Sequence, residues 1–250
     1  MTRRRNVLVT GGAKRLGAAI ARAIAAAGHR PVIHYGTSRA EAEALARATG
    51  GVTVAGDLAD SRELPAMFAR AAAAAEGIVD GLVNSASLFE FDRPERIDAA
   101  LASRLYAVNS LAPAILAQAL AKQPGLEDGA IVNLLDQKLA NPNPDFFSYT
   151  LSKHALAGAT EMMALALAPR VRVNAVSPGL TLPSGDQTAG EFDRVARANL
   201  LERPVGADQI AQAVVYLLDA RSVTGQNLFV DCGQRFLKRD RDVMFEGRDG

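Results

Sequence analysis

The sequence contains very little cysteine and almost no net charge. Cys232 is the only cysteine among 250 residues, which excludes an internal disulfide and fits a reducing compartment. The 28 basic and 27 acidic side chains leave a formal net charge of +1, so the composition gives no reason to expect nucleic acid or an anionic membrane as a partner. Hydrophobic residues make up 49% of the chain, which predicts a sizeable core.

Long apolar runs are also missing. No run reaches the roughly 18 residues that a transmembrane helix requires. The apolar stretch Val7–Val9, which follows the basic start, is too short for a signal peptide. We therefore expect a cytoplasmic protein. Neither an internal repeat nor a linker marks a second domain, and we expect residues 1–250 to form one domain.

Short β-branched runs alternate with alanine-rich helical patterns along the chain. Strands are predicted at 6–10, 31–35, 51–55, 80–84, 129–135, 171–177 and 227–230, and helices near 15–27, 38–48, 61–75, 96–122, 148–167 and 207–219. This alternation is typical of an α/β fold with a parallel, doubly wound Rossmann-type sheet, here of about seven strands with helices on both faces. The stretch 178–203 is predicted to be an irregular substrate loop. The charged tail 238–250 is expected to be solvated, unless 243–245 docks on a neighbouring subunit.

A glycine-rich turn follows the first predicted strand. The chain runs from Thr10 through Gly11-Gly12-Ala13-Lys14-Arg15-Leu16-Gly17 into an alanine-rich helix, which is the strand, turn and helix context of a dinucleotide-binding loop. Glycines let the backbone approach a pyrophosphate, whose charge the helix N-terminus stabilises. The sequence therefore predicts a nicotinamide dinucleotide cofactor.

The end of the second predicted strand lacks an acidic residue. NAD sites usually place a carboxylate there for the ribose hydroxyls, whereas a 2′-phosphate requires neutral donors and cations. This chain reads His34-Tyr35-Gly36-Thr37-Ser38-Arg39, with no acid before Glu41, and Lys14 and Arg15 can point the same way. The pattern favours NADPH over NADH.

Tyr149 and Lys153 lie one helical turn apart in a predicted helix, so their side chains share a face. An ammonium within about 4–6 Å lowers the pKa of a phenol, which is near 10 when unperturbed. We expect Lys153 to make Tyr149 a usable general acid. The spacing alone also occurs on ordinary amphipathic helices, so the assignment depends on the rest of the chain.

Several short motifs occur in a characteristic order. They are Thr10-Gly11 with Gly17, Asp57-Leu58, Asn84-Ser85-Ala86-Ser87, Asn109, Tyr149 with Lys153, and Pro178-Gly179. Together they resemble the short-chain dehydrogenase/reductase family over essentially the whole chain. The resemblance implies that Asp57 contacts the adenine, that Asn84 supports the sheet beside the cofactor, and that Asn109 holds a water in a proton relay. It also implies that Lys153 binds the nicotinamide ribose, and that the protein is a homotetramer that pairs its long helices.

Departures from the family pattern indicate a branch. Arg15 replaces the middle glycine of the family's turn, and Asp136 stands where most members have serine, thirteen residues before Tyr149. With His34-Tyr35 and the segment 84–89, these residues resemble pteridine reductases and bacterial dihydromonapterin reductases, although Ser85 stands where that branch usually has a second asparagine. The resemblance implies that Phe89 stacks a pterin against the nicotinamide, that Arg15 reaches the substrate and the cofactor phosphate, and that Ser87 lines the site.

These motifs assign three sets of site residues, and no metal site is expected. The residues expected at the cofactor are Gly11, Lys14, Arg15, Leu16, His34, Tyr35, Ser38, Asp57, Leu58, Asn84, Ala86, Ser87, Lys153, Pro178 and Gly179. The residues expected at the substrate are Arg15, Ser87, Phe89, Asp136, Tyr149 and Leu180. The residues expected to be catalytic are Asp136, Tyr149, Lys153 and Asn109.

Asp136 and Phe89 suit the reduction of a C=N bond. The reaction requires a hydride from NADPH, a proton on the neighbouring atom and a stacking surface for a flat substrate. A carboxyl whose pKa is raised by burial can donate or relay that proton. Alternatively, Asp136 caps a strand end, and Phe89 is a core aromatic while Leu88 faces the site.

We expect a 7,8-dihydropterin as substrate, of the dihydromonapterin, dihydrobiopterin or dihydrofolate type. Carbonyl reduction by a short-chain reductase and NADP-dependent regulation without turnover are the alternatives.

Overall fold

A seven-stranded sheet forms the centre of the computed structural model, which describes residues 4–183 and 188–245. The strands are β1 (Asn6–Val9), β2 (Arg30–Tyr35), β3 (Val52–Ala55), β4 (Gly81–Asn84), β5 (Gly129–Leu134), β6 (Val171–Pro178) and β7 (Asn227–Val230). They lie in the order β3-β2-β1-β4-β5-β6-β7 and all pair in parallel. The predicted doubly wound α/β fold is confirmed.

Helices cover both faces of the sheet. They are α1 (Arg15–Ala26), α2 (Arg39–Thr49), α3 (Leu64–Ala74), α4 (Ala99–Tyr106), α5 (Ala112–Ala121), α6 (Phe147–Leu167), α7 (Ala189–Ala196) and α8 (Ala207–Asp219). In β1, Val7 and Val9 pack with α1 and α8, whereas Leu8 faces the opposite layer with α3 and α5. Burial on both faces explains why the central strands β1, β4 and β5 are apolar without alternation.

The predicted helix 96–122 is interrupted in the structure. The π-helical turn Ala107–Leu111 separates α4 from α5. Pro113 has no N–H for the carbonyl of Asn109, four residues earlier, so regular α-helical hydrogen bonding cannot continue there. The interruption falls at a predicted site residue, as π-helical turns frequently do.

The predicted irregular stretch 178–203 contains a helix, α7. Its apolar residues Phe192, Val195 and Ala196 have helical spacing, and the last two are buried, which explains why a helix forms between the glycines and prolines. Residues 184–187 of the predicted loop lie outside the described residues.

Among the described residues, the helical stretch Ala99–Ala121 is apolar and long enough to cross a membrane by length and composition alone. Leu105, Leu116 and Leu120 are nevertheless fully buried in the protein, so the stretch is a core helix of this fold. The expectation of a solvated tail changes for its described part, 238–245, because Val243 is buried against its own chain. Residues 246–250 of the predicted tail lie outside the described residues.

Candidate active site

The candidate site lies at the carboxyl edge of the sheet, beside the boundary between β1 and β4. At this boundary the strand order reverses, because β2 and β3 lie on one side of β1 and the later strands lie on the other. The loops after β1, β4, β5 and β6 meet there around a cavity of about 270 Å³. All the predicted substrate residues line this cavity: Arg15, Ser87, Phe89, Asp136, Tyr149 and Leu180. Leu16, Lys153, Pro178 and Gly179 from the predicted cofactor set line it as well.

At two positions of the loop and helix start after β1, the packing leaves room only for glycine. Gly11 has a φ of +61°, and a Cβ there would lie 3.0 Å from Ala86 Cα. A Cβ on Gly17 would collide with the carbonyl oxygen of Gly11. The Oγ1 of Thr10 accepts hydrogen bonds from the Ser85 and Ala86 amides at 3.0 and 3.1 Å and so joins the loops after β1 and β4. No side chain caps the N-terminus of α1, which leaves that end of the helix suited to a pyrophosphate.

The two cations of this turn point to different places. Lys14 Nζ lies 2.7 Å from Glu41 Oε1, and the pKa of Glu41 is lowered by this hydrogen bond. Arg15 has a φ of +51° where the family usually has glycine, and its guanidinium donates to the Pro183 carbonyl at 2.6 Å. Arg15 therefore contacts the substrate loop. Glu41 is the first acidic residue after β2, and the first turn of α2 brings it to Lys14.

The buried ring of His34 supports the glycine-rich turn after β1. Its Nδ1 accepts from the Gly11 amide at 3.1 Å, and its Nε2 lies 3.2 Å from the Gly56 carbonyl, to which it donates as the neutral ring. Burial lowers the pKa of His34, so the ring stays neutral. The expectation that His34 contacts a phosphate is corrected, because both ring nitrogens are engaged by the backbone. Tyr35 and Leu58 are likewise buried in the core.

Other predicted cofactor residues follow the same edge. Asp57 is exposed after β3, and Ser38 is half-buried just before α2. At the end of β4, Asn84 Nδ2 donates to Asn133 Oδ1 at 2.8 Å, which links β4 to β5 as expected of a supporting residue. The Gly179 amide donates to the Val230 carbonyl at 3.0 Å and holds the loop after β6.

Asp136 and Tyr149 form the central contact of the cavity. The Tyr149 hydroxyl donates to Asp136 Oδ2 at 2.8 Å, and the second oxygen of Asp136 accepts from the Lys138 amide at 2.9 Å. Burial raises the pKa of the Asp136 carboxyl. Asp136 does begin the short 3₁₀ turn Gln137–Ala140, so the capping alternative holds for one oxygen while the other faces Tyr149.

Lys153 lies behind this pair. Its Nζ donates to the Leu134 carbonyl at 2.7 Å and stands 5.7 Å from the centre of the Tyr149 ring. Burial lowers the pKa of Lys153 to about 8. Burial, followed by the charge of Asp136, raises the pKa of Tyr149 well above its usual value. The expectation that Lys153 lowers the Tyr149 pKa was wrong for this arrangement, because desolvation and a neighbouring carboxylate both oppose the phenolate.

Asn109 connects the loop after β4 to α6. Its Nδ2 donates to the Leu88 carbonyl and to Ser152 Oγ, each at 3.0 Å, while its Oδ1 accepts from the Leu88 amide at 2.8 Å and from Ser87 Oγ at 3.2 Å. Both amide hydrogens are donated to acceptors within the protein. Asn109 positions Ser87 beside Tyr149, and its role in holding a relay water stays a prediction.

Phe89 is the aromatic surface of the cavity. One face stacks on Phe146 with centroids 4.0 Å apart, and its ring meets Tyr149 edge-on at 4.7 Å. The side chain remains 39% exposed, so a second face is open to a flat ligand. Leu88 packs into the core, which removes the alternative that Leu88 faces the site.

Sequence reasoning missed part of the cavity wall. Gln137, Leu182, Asp242 and Val243 also line it. Gln137 adjoins Asp136 at the strand end, and its buried Oε1 has no hydrogen-bond partner among the described residues. No pattern in the sequence indicated the tail residues. A larger cavity of about 630 Å³, lined by residues of 201–209 and 229–236, has no residue in common with this site.

The chain is similar to known proteins over most of its length. A family model described as enoyl-(acyl carrier protein) reductase matches residues 11–235. Pteridine reductase 1 of Leishmania tarentolae is 32% identical over 274 residues, which cover 90% of this chain and 94% of the relative.

Two solved structures are more similar in sequence. FolM alternative dihydrofolate reductase 1 from Brucella suis, in complex with NADP, is 40% identical with a TM-score of 0.91, covering 96% of this chain and 98% of that chain. The same protein from Brucella canis, complexed with NADP, is 40% identical with a TM-score of 0.89, covering 94% and 95%.

Proposed function

The chain belongs to the short-chain dehydrogenase/reductase family, and we propose that it is an NADPH-dependent reductase that converts a dihydropterin to the tetrahydropterin. The contact between Asp136 Oδ2 and the Tyr149 hydroxyl carries this proposal. Carbonyl reduction is served by a serine at position 136, whereas a buried carboxyl of raised pKa adds a proton source for a ring nitrogen. The 40% identity to NADP-bound FolM structures supports the same substrate class.

The residues present fit the cofactor. Gly11 and Gly17 would let the backbone approach the pyrophosphate, the N-terminus of α1 would stabilise its charge, and Lys14 would meet a 2′-phosphate. When bound, NADPH supplies the hydride for the carbon of the C=N bond. The loops after β4 and β6 form the walls between which the nicotinamide end would lie.

The chain itself supplies the proton and the orientation. Phe89 stacks the flat ring, and Arg15 and Ser87 bind its polar edge. Tyr149 and Asp136 share a hydrogen-bonded proton that can pass to the ring nitrogen as the carbon accepts hydride, so that C=N becomes CH–NH. The ammonium of Lys153 compensates the negative charge that this transfer leaves on the pair.

An assay of NADPH oxidation tests the proposal. The purified protein should consume NADPH with dihydromonapterin, dihydrobiopterin or dihydrofolate, and the Tyr149→Phe variant serves as the control for adventitious oxidation. A panel of ketones and aldehydes is run beside the pterins. Turnover on the carbonyl panel alone would replace the proposal with ordinary carbonyl reduction. Cofactor binding without turnover on any substrate would favour a regulatory protein.

Assembly and domain organisation belong to the same proposal. We infer one domain with a substrate loop near 178–203 and a homotetramer formed through the long helices. Large apolar side chains on these helices are exposed, among them Tyr106, Leu151, Met162 and Leu165. A partner helix covering them would remove an apolar surface from water.

A further inference from the structure

The segment 241–245 folds back over the carboxyl edge of its own chain. Asp242 and Val243 line the same cavity as Asp136 and Phe89, and Val243 is only 6% exposed. The segment ends in the 3₁₀ turn Val243–Phe245. A wall of the candidate substrate site is thus built from residues close to the end of the chain.

Buried charges hold the segment in place. Lys138 Nζ lies 3.1 Å from Asp242 Oδ2 and donates to the Asp145 carbonyl at 2.5 Å. The Asp242 amide donates to Asp145 Oδ2 at 2.9 Å. Lys138 is 3% exposed and Asp145 is fully buried. A buried charge is costly unless it is paired. Releasing the segment would remove Asp242, the acidic partner of the buried Lys138 ammonium, so the ion pair favours the closed position.

Aromatic packing joins the segment to the stacking surface. The Phe245 ring lies nearly parallel to Phe146 at 6.0 Å and meets Phe91 edge-on at 5.5 Å. Phe146 in turn stacks on Phe89. Phe245 therefore packs against Phe146, the ring on which Phe89 stacks at the cavity.

We propose that segment 241–245 closes the substrate cavity and selects the substrate, with Asp242 as a polar contact and Phe245 as a positioning residue for Phe89. This inference rests on the proposed function for the identity of the substrate. A dihydropterin presents amino and ring N–H donors along its pyrimidine edge, which suit a carboxylate acceptor. A carboxylate has several lone pairs, so Asp242 can accept from Lys138 and from a ligand together.

Two shortened chains test the wall. A chain that ends at Asp240 lacks the segment, and a chain that ends at Phe245 keeps it and is the matched control. With NADPH saturating, the chain ending at Asp240 should raise KM for the dihydropterin by about tenfold or more, while Kd for NADPH stays near the parental value. The chain ending at Phe245 should keep the parental KM. Equal KM values in all three chains would overturn the proposal.

Point variants cover the case in which the shortened chain does not fold. Asp242→Asn keeps the shape of the side chain but removes its charge, and it should raise KM for the dihydropterin more than it lowers kcat. Phe245→Ala should do the same by loosening Phe89. Parental KM in both variants would overturn the assignment.

A second measurement separates this inference from the proposed function. Acrylamide quenches the fluorescence of bound NADPH according to the access of solvent to the nicotinamide end. Quenching should increase in the chain ending at Asp240 and not in the chain ending at Phe245, whatever substrate the enzyme uses. If the parent reduces no dihydropterin but quenching still increases, the proposed function fails and the wall stands. Unchanged quenching together with a parental KM in the chain ending at Asp240 would overturn the inference about segment 241–245 and leave the proposed function standing.

Discussion

Replacing Asp136 is the sharpest perturbation of the candidate site. In Asp136→Ser the hydroxyl is too short to replace the carboxylate oxygen that Tyr149 contacts at 2.8 Å. A hydrogen bond to a charged group contributes roughly 1.5–3 kcal/mol, so kcat/KM for a dihydropterin should fall by about 10- to 100-fold. Asp136→Asn keeps the shape and can still accept from Tyr149, but it cannot donate or relay a proton, so a similar loss is expected.

The thermal stability of the Asp136 variants shows whether a loss of activity comes from unfolding. The pKa of Asp136 is raised in the folded protein above its usual value of 3.8, so the folded state binds more protons than the unfolded state between 3.8 and the raised value. The free energy of unfolding contributed by Asp136 therefore falls as pH rises through that window. Asp136→Asn removes the buried charge, and its Tm at neutral pH should equal or exceed that of the parent.

The assay compares steady-state NADPH oxidation with the Kd of NADPH, which should not change in either variant. A lower kcat/KM with parental Tm and Kd isolates the effect on proton transfer. If Asp136→Ser and Asp136→Asn both turn over dihydropterin at the parental rate, the carboxyl is not a proton source. The main reason for placing the chain outside the carbonyl reductases would then be lost, and Arg15 and Phe89 alone would support the pterin site.

The remaining predictions concern the proton, pH, cofactor and assembly. Tyr149→Phe should keep NADPH binding and lower kcat by about 10²–10⁴-fold, and parental turnover would show that another group delivers the proton. Because the pKa of Lys153 is lowered to about 8, the ammonium is lost above that pH, and kcat/KM should decline there. Lys153→Arg does not titrate in this range, so persistence of the decline in its residual activity would assign it to another group. NADPH should exceed NADH in kcat/KM by at least about tenfold, or roughly 1.4 kcal/mol, and Glu41→Gln should widen this ratio by releasing Lys14. Equal use of the two cofactors would contradict the phosphate site. Leu165 is 83% exposed on α6, so Leu165→Asp should dissociate the assembly in sedimentation, and a monomeric parent at micromolar concentration would refute the tetramer.

The positions of the strands can be predicted from the sequence alone. Every observed strand begins and ends within one residue of its predicted position, because strands buried on both faces of a parallel sheet appear as short apolar runs between turn residues. The helix 148–167 and the glycine turn at Gly11 can also be predicted from the sequence, because helical spacing and the need for φ > 0 are local properties of the chain. The predicted substrate residues also follow from order along the chain, because the carboxyl ends of parallel strands meet at one edge.

The pKa shifts at the site depend on tertiary packing. Tyr149 and Lys153 have the spacing that predicts a lowered phenol pKa, yet burial and Asp136 reverse its direction, and burial depends on side chains that come from every part of the chain. The neutral ring of His34 has the same kind of origin, since burial by packed layers from distant parts of the chain lowers its pKa.

Contacts between distant segments were also invisible in the sequence. Glu41 meets Lys14 through the placement of α2, and Asp242 meets Lys138 across 104 positions of sequence. A pattern of spacing reports which residues share a helix face or a strand edge, because that geometry repeats along the backbone. It does not report which segment closes over a cavity, because that depends on how charges and rings pack once the layers have assembled. The sheet and its glycine turn are therefore properties of the sequence, whereas the wall formed by 241–245 is a property of the packed structure.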